Sequence, residues 1–173
     1  MNVLSRFKQI DTFIFDVDGV LTDGTVLVLE TGEMARRMNI KDGYALQLAI
    51  KKGYRIFIVS GSSPSAVQQR LAYLGISEIY FNVKDKKNFV LELIKKHVLN
   101  TESILFMGDD MPDLPVFDVV GLSCCPKDAV TDLTNVAQYV SHKNGGEGCV
   151  REVIEKVMKL NDDWEVSSAI AST

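Results

Sequence analysis

The sequence predicts an α/β fold: a parallel central sheet with helices on both faces, a three-layer sandwich, and one β-hairpin protruding from it. Three observations carry that reading. Short apolar, β-rich stretches alternate with segments whose apolar residues recur at helical spacing. Three of these stretches end abruptly in polar clusters, as strands do where they open into a ligand crevice. Only residues 26–40 break the alternation, with two apolar runs across a turn.

Thr12–Phe15 (TFIF) reads as a buried strand that ends in Asp16, Val17, Asp18 and Gly19. Residues 26–29 and 34–40 read as the hairpin strands, with Glu30, Thr31, Gly32 and Glu33 as turn chemistry. From Asp42 the period becomes helical through Tyr44, Leu46, Leu48, Ala49 and Ile50, and Gly53 suits the helix end. Arg55–Val59 (RIFIV) is another buried strand, ending in Ser60, Gly61, Ser62 and Ser63. Pro64 fits the first turn of a helix that carries Val67, Leu71 and Leu74 and stops at Gly75. A short strand at 79–81 precedes a helix over 84–98, with Phe89, Val90, Leu93, Ile94 and His97 on one stripe. Residues 103–107 form a strand that ends in Gly108, Asp109 and Asp110; 119–123 and 138–141 complete the strands. The last helix places Val150, Val153, Ile154, Val157 and Met158 at 3.6-residue spacing.

Composition sets the outer limits. A length of 173 residues favours one domain, here residues 1–163 with the hairpin at about 25–40, followed by a flexible tail at 164–173. A content of 46% hydrophobic and 24% charged residues is that of an ordinary globular chain and argues against disorder. The net charge of −4 argues against a global grip on nucleic acid. No apolar run approaches the ~18 residues of a membrane span. The opening segment has no apolar core of signal-peptide length, and the sparse, odd-numbered cysteines point to a reducing cytoplasm as the expected setting. Three cysteines, two of them the adjacent Cys124 and Cys125, make neither a disulfide framework nor a zinc site, and that pair reads as strand-end core.

The chemistry lies in the strand-end clusters: Asp16 and Asp18, Ser60 and Gly61, then Asp109, Asp110 and Asp113. Their convergence brings together carboxylates that repel one another unless a cation sits among them. Oxygen ligands beside a phosphate suit Mg²⁺, and a lysine from Lys84, Lys86 or Lys87 would balance the charge. A calcium loop starting at Asp16 fails, because Gly19 falls at position 4 and Leu27 at position 12. Neither a P-loop nor a dinucleotide fingerprint occurs.

In its ordered motifs the chain resembles the haloacid dehalogenase-like (HAD) phosphohydrolases. The run FDVDGVLTDG (15–24) resembles their first motif, Ser60 their second, Lys86 their third and GDDMPD (108–113) their fourth. The resemblance implies a HAD-like Rossmannoid fold with Asp16 as nucleophile and Asp18 as general acid and base. It implies Mg²⁺ held by Asp16, the Asp18 carbonyl and Asp109, with phosphate bound by Ser60, Gly61 and Lys86. Asp110 and Asp113 would support Lys86 and metal-bound water. DVDGVLTDG, the hairpin, NIKDGYALQLA, RLAYLGI, GDDMPD and GGEGCVREV are similar to the capless branch that hydrolyses 3-deoxy-D-manno-octulosonate (KDO) 8-phosphate, a lipopolysaccharide sugar precursor. That branch implies a homotetramer with active sites shared between subunits, the hairpin in the assembly, and Arg70 binding the substrate carboxylate. A sister branch acts on nine-carbon sugar acids such as KDN 9-phosphate. Two departures bear on the sugar: Ser62 follows Gly61 where many relatives carry a charged residue, and Glu147 stands where several carry arginine. A catalytically silent scaffold and a mutase are the readings from other classes. The intact acidic set argues against the first and the lack of room for a cap against the second.

Overall fold

The computed structural model describes residues 2–165. The elements in chain order are α1 (Val3–Lys8), β1 (Thr12–Phe15), β2 (Leu27–Val28), β3 (Met34–Ala35), α2 (Ile40–Lys51), β4 (Arg55–Val59), α3 (Ala66–Tyr73), β5 (Glu78–Tyr80), α4 (Lys86–His97), β6 (Ile104–Met107), β7 (Leu122–Cys125), α5 (Thr131–Thr134), β8 (Tyr139–Val140) and α6 (Cys149–Leu160). Six strands pair in parallel in the order β5-β4-β1-β6-β7-β8. The chain builds β4 and β5 outward from one side of β1, then returns to build β6, β7 and β8 on the other. That reversal opens a crevice beyond the carboxyl end of β1, where open α/β sheets bind ligands.

Burial on both faces explains the unbroken apolar runs of the central strands. Phe13, Phe15, Ile56, Ile58, Leu105 and Met107 pack under α1, α2, α3 and α6. The alternate residues Ile14, Phe57, Val59, Ile104 and Phe106 pack under α4 and the 3₁₀ segment Leu114–Val119. The register sets Phe15 beside both Ile58 and Met107, so the three central strands end level with one another.

Several boundaries differ from the sequence expectation. The hairpin ladder is only Leu27↔Ala35 and Val28↔Met34, and among the described residues its apolar side chains stay exposed. Residues 36–39 leave the ladder, and Asn39 caps α2 by accepting the Lys41 amide, so α2 starts at Ile40. Ser65, not Pro64, begins α3, because its hydroxyl accepts the Val67 amide. Asp85 caps α4, which starts at Lys86 rather than 84. β7 lies later than expected, since Val119 ends a 3₁₀ segment and the strand pairs Leu122 with Leu105. The N-terminal helix α1, with Phe7 fully buried, has too little periodicity to stand out in sequence. Of the expected tail, 166–173 lies outside the described residues. Its first residue, Trp164, packs edge-on against Tyr44 at 6.2 Å and under the Arg151 guanidinium at 5.3 Å, so residue 164 belongs to the folded body.

The fully buried Phe106 holds the α4 side of the core. Phe106→Ala is expected to lower unfolding free energy by about 3–5 kcal/mol in chemical denaturation. A loss under about 1 kcal/mol would contradict that packing.

Candidate active site

The site begins with the turn that follows β1. Asp16 remains extended and donates its amide to the Met107 carbonyl, which ties the end of β1 to β6. The chain then closes a wide turn over Val17–Leu21, with the Thr22 amide on the Val17 carbonyl at 3.0 Å. Gly19 sits at φ +82°, and a Cβ there would lie 1.9 Å from Asp109 Oδ2. The position therefore requires glycine twice over: for backbone conformation, and to let the Asp109 carboxylate lie against the turn.

Three elements bring the charges together. Lys86, the first residue of α4, reaches between Asp16 Oδ1 at 3.0 Å and Asp113 Oδ1 at 2.6 Å. All three are 5% exposed or less. A cation at a helix N-terminus opposes the helix dipole, so the two carboxylates are what holds it there. Asp113 Oδ2 accepts the amides of Asp109 at 3.1 Å and Asp110 at 3.4 Å, which fixes the loop after β6. Burial pushes the Lys86 ammonium down, but attraction to Asp16 and Asp113 outweighs it and the net shift is upward. Burial pushes Asp16 up, and Asp113 adds to this, against the pull of Lys86. Burial also raises Asp109, to about 8, with repulsion from Asp16 and Asp113 adding to it.

These shifts describe two carboxylates too many for one ammonium. Asp16, Asp109 and Asp113 each offer an oxygen within 4.8 Å of the others. Both oxygens of Asp113 are already engaged, which leaves Asp16 and Asp109 as carboxylate donors. A donor set of oxygens alone, with excess negative charge, fits a hard divalent cation such as Mg²⁺ and not zinc.

The cleft around this cluster has a volume of about 460 Å³ and is lined by Asp16, Asp18, Ser60, Gly61, Lys86, Asp109, Asp110 and Asp113 among others. Eight of the nine expected site residues therefore converge. Ser60 is buried at the end of β4, its hydroxyl 2.8 Å from that of Ser62, and Gly61 is exposed at the cleft wall. Of the two expected supporting residues, Asp113 lies 2.6 Å from the Lys86 ammonium and Asp110 accepts the Met111 amide. Arg70 lies apart, in a neighbouring groove of about 630 Å³ between the hairpin and α3, with its guanidinium over Gly43.

Two contributors escaped the sequence reading. The Asp18 carboxylate is gripped by Arg36, which follows β3. Behind the turn, Gly145 fits so closely that a Cβ would lie 1.8 Å from the Gly19 carbonyl oxygen. The Gly146 amide also donates to Val20 at 2.9 Å. The glycine-rich loop before α6 is thus a backbone buttress for the turn. A larger hollow of about 640 Å³ lies along α6, where lysines and Arg151 are interspersed with Glu147, Glu152 and Glu155.

A sequence profile of the haloacid dehalogenase-like hydrolases matches residues 73–154. The chain is 35% identical over 157 residues to the 3-deoxy-D-manno-octulosonate 8-phosphate phosphatase of Salmonella typhi, covering 91% of this chain and 84% of that one. Its fold superposes on the crystal structure of the enzyme of that name from Yersinia pestis with a TM-score of 0.90 at 34% identity, over 93% of this chain and 87% of the other. It matches the Moraxella catarrhalis enzyme, solved with magnesium ion, phosphate ion and KDO, with a TM-score of 0.88 at 32% identity, over 91% of each chain.

The raised carboxyl groups give stability a pH dependence. Between pH ~4 and ~8 the metal-free folded protein retains protons that the unfolded chain has released, so stability falls as pH rises through that window. A divalent cation held by the ionised pair would offset this. Thermal unfolding should therefore show Mg²⁺ raising the melting temperature more at pH 8 than at pH 5, relative to EDTA. An equal Mg²⁺ effect at both pH values would contradict the assignment of the shared charge.

Proposed function

Because the chain belongs to the haloacid dehalogenase-like hydrolases and is a phosphatase of that family, we propose that it hydrolyses KDO 8-phosphate to KDO and phosphate through an aspartyl-phosphate on Asp16. The observation that carries this reading is the buried Asp16–Lys86–Asp113 cluster facing Asp109 at the reversal of strand order. The likeness to phosphatases of that name over most of both chains supports the substrate.

Asp16 and Asp109, with the Asp18 backbone carbonyl, would hold Mg²⁺, which when bound lowers repulsion between the carboxylate and the phosphate and stabilises developing charge. The chain's own groups then divide the work. Asp16 attacks phosphorus and forms the acyl phosphate while the ester P–O bond breaks. Asp18 gives its proton to the departing sugar oxygen. In the second half, Asp18 takes a proton from water as its oxygen attacks phosphorus and the Asp16–phosphorus bond breaks. The Ser60 hydroxyl and the Gly61 amide donate to phosphoryl oxygens. Lys86 offsets the charge of both Asp16 and the phosphate, and Asp113 and Asp110 keep Lys86 and the β6 loop in place.

Val26, Leu27, Val28, Leu29 and Met34 of the hairpin are between 39% and 66% exposed, a cluster that suits burial against another subunit. It supports a homotetramer with shared active sites, which would bring Arg70 or its counterpart near a sugar carboxylate. No described helix is long and apolar enough to cross a membrane, and we place the enzyme in the cytoplasm with its small-molecule substrate.

The test is phosphate release from KDO 8-phosphate and KDN 9-phosphate, with Mg²⁺ or EDTA. Mg²⁺-dependent preference for the first is the expected result. Preference for the second would move the substrate to the nine-carbon acids, with Ser62, Arg70, Tyr73 and Glu147 as the positions to test next. Asp16→Asn is expected to fold and to retain less than about a hundredth of the turnover, a loss of about 3 kcal/mol or more in transition-state stabilisation. In sizing experiments the protein should elute as a tetramer, and a monomer at micromolar concentration would contradict the shared site.

A further inference from the structure

The returning limb of the hairpin is fastened to the catalytic turn at three successive residues. Arg36 Nε donates to Asp18 Oδ1 at 2.5 Å, and its Nη2 to Oδ2 at 3.4 Å. Arg37 Nη2 lies 2.9 Å from Asp23 Oδ2. Met38 forms a β-bridge with Thr22. The Arg36 side chain is only 12% exposed although the residue belongs to a hairpin that otherwise faces solvent, whereas Arg37 is 77% exposed.

The two clasps differ in what they hold. An exposed ion pair such as Arg37–Asp23 contributes little to stability. Arg36 meets Asp18 with two nitrogens of one planar guanidinium, a geometry that fixes the plane of the carboxylate as well as its position. The tight contact occupies Oδ1 and leaves Oδ2, at the longer distance, as the oxygen less encumbered for proton transfer. Asp18 lies in a turn without a regular helix or strand to orient it, so the guanidinium supplies what the backbone does not.

We propose that Arg36 is a positioning residue that holds the Asp18 carboxyl group for proton transfer to the leaving oxygen. The inference rests on the reading of Asp18 as general acid and base. In the first half-reaction the Asp18 proton passes to the alkoxide as the P–O bond breaks, and the carboxylate that results is the species Arg36 holds. In the second, that carboxylate takes a proton from the attacking water while the phosphorus–Asp16 bond breaks. The hairpin thereby has a task inside its own subunit, separate from any contact made by its apolar tip.

The leaving group provides the test, read as kcat/KM for phosphorylation of the enzyme. A sugar phosphate leaves as an alkoxide and needs the proton, whereas p-nitrophenyl phosphate leaves as a stable phenolate and does not. Arg36→Ala should lower kcat/KM for the sugar phosphate about ten- to a hundredfold while leaving p-nitrophenyl phosphate within about threefold of wild type. Arg36→Lys, which keeps the charge without the fork, should recover part of the loss, and Arg36→Gln serves if the alanine variant does not fold. Arg37→Ala should match wild type on both substrates. In an Asp18→Asn background, Arg36→Ala should add nothing. Equal losses on both substrates, additivity with Asp18→Asn, or an unaltered sugar-phosphate rate would each overturn the inference. Wild-type activity on p-nitrophenyl phosphate and on another alkyl phosphate, but on neither sugar-acid phosphate, would overturn the substrate alone, with the alkyl phosphate then deciding Arg36. No release from any phosphate ester would overturn both.

Discussion

One ammonium shared by two buried carboxylates is the constraint around which the site is organised. Lys86 bridges Asp16 and Asp113 at 3.0 and 2.6 Å with almost no solvent around any of them. Removing one partner of such a group leaves an uncompensated buried charge, at a cost of about 3–5 kcal/mol. The three residues come from the end of β1, the start of α4 and the segment after β6, so the cluster also joins three parts of the chain. Its excess negative charge, increased by Asp109, creates the demand for a divalent cation and a place where a phosphate can be met by positive charge.

The backbone around the cluster is shaped to let these groups approach. The turn after β1 is closed by glycine at position 19 because the Asp109 carboxylate occupies the space a side chain would take. Gly145 closes against the same turn from behind, backbone to backbone. The rigid sheet sets the strand ends level, while the loops hold the reactive groups across the crevice. The hairpin plays two parts in this arrangement: its tip exposes an apolar surface, and its stem holds the turn through Arg36 and Met38.

Much of this was legible in the sequence, for physical reasons. Asp16, Ser60 and Asp109 stand at the ends of short β-rich apolar runs that read as buried strands, and a parallel sheet aligns the ends of such runs. Lys86 was one of three lysines at a helix start, and the family resemblance separated it from Lys84 and Lys87. Arg36 was not legible, because its partner lies 18 residues away and the pairing depends on how the hairpin limb leaves its ladder. The buttressing role of Gly145 was hidden for the same reason, since close backbone approach across more than a hundred residues leaves no periodic signal. Arg70, the expected substrate-binding residue, lies in the adjoining groove, where α3 places its guanidinium over Gly43. Boundaries slipped where a cap outcompeted a propensity, as Ser65 did at α3.

In the mechanism proposed above, the Asp16 carboxylate, held by Lys86, takes up the phosphoryl moiety. The most direct measurement is acid quenching during turnover of KDO 8-phosphate, followed by borohydride reduction and peptide mass spectrometry. An aspartyl-phosphate is reduced to homoserine, whereas a free carboxylate is not. Homoserine is expected at position 16 in the wild-type protein, and none without substrate. Homoserine at Asp18 or Asp109, or turnover with no reducible intermediate, would contradict it.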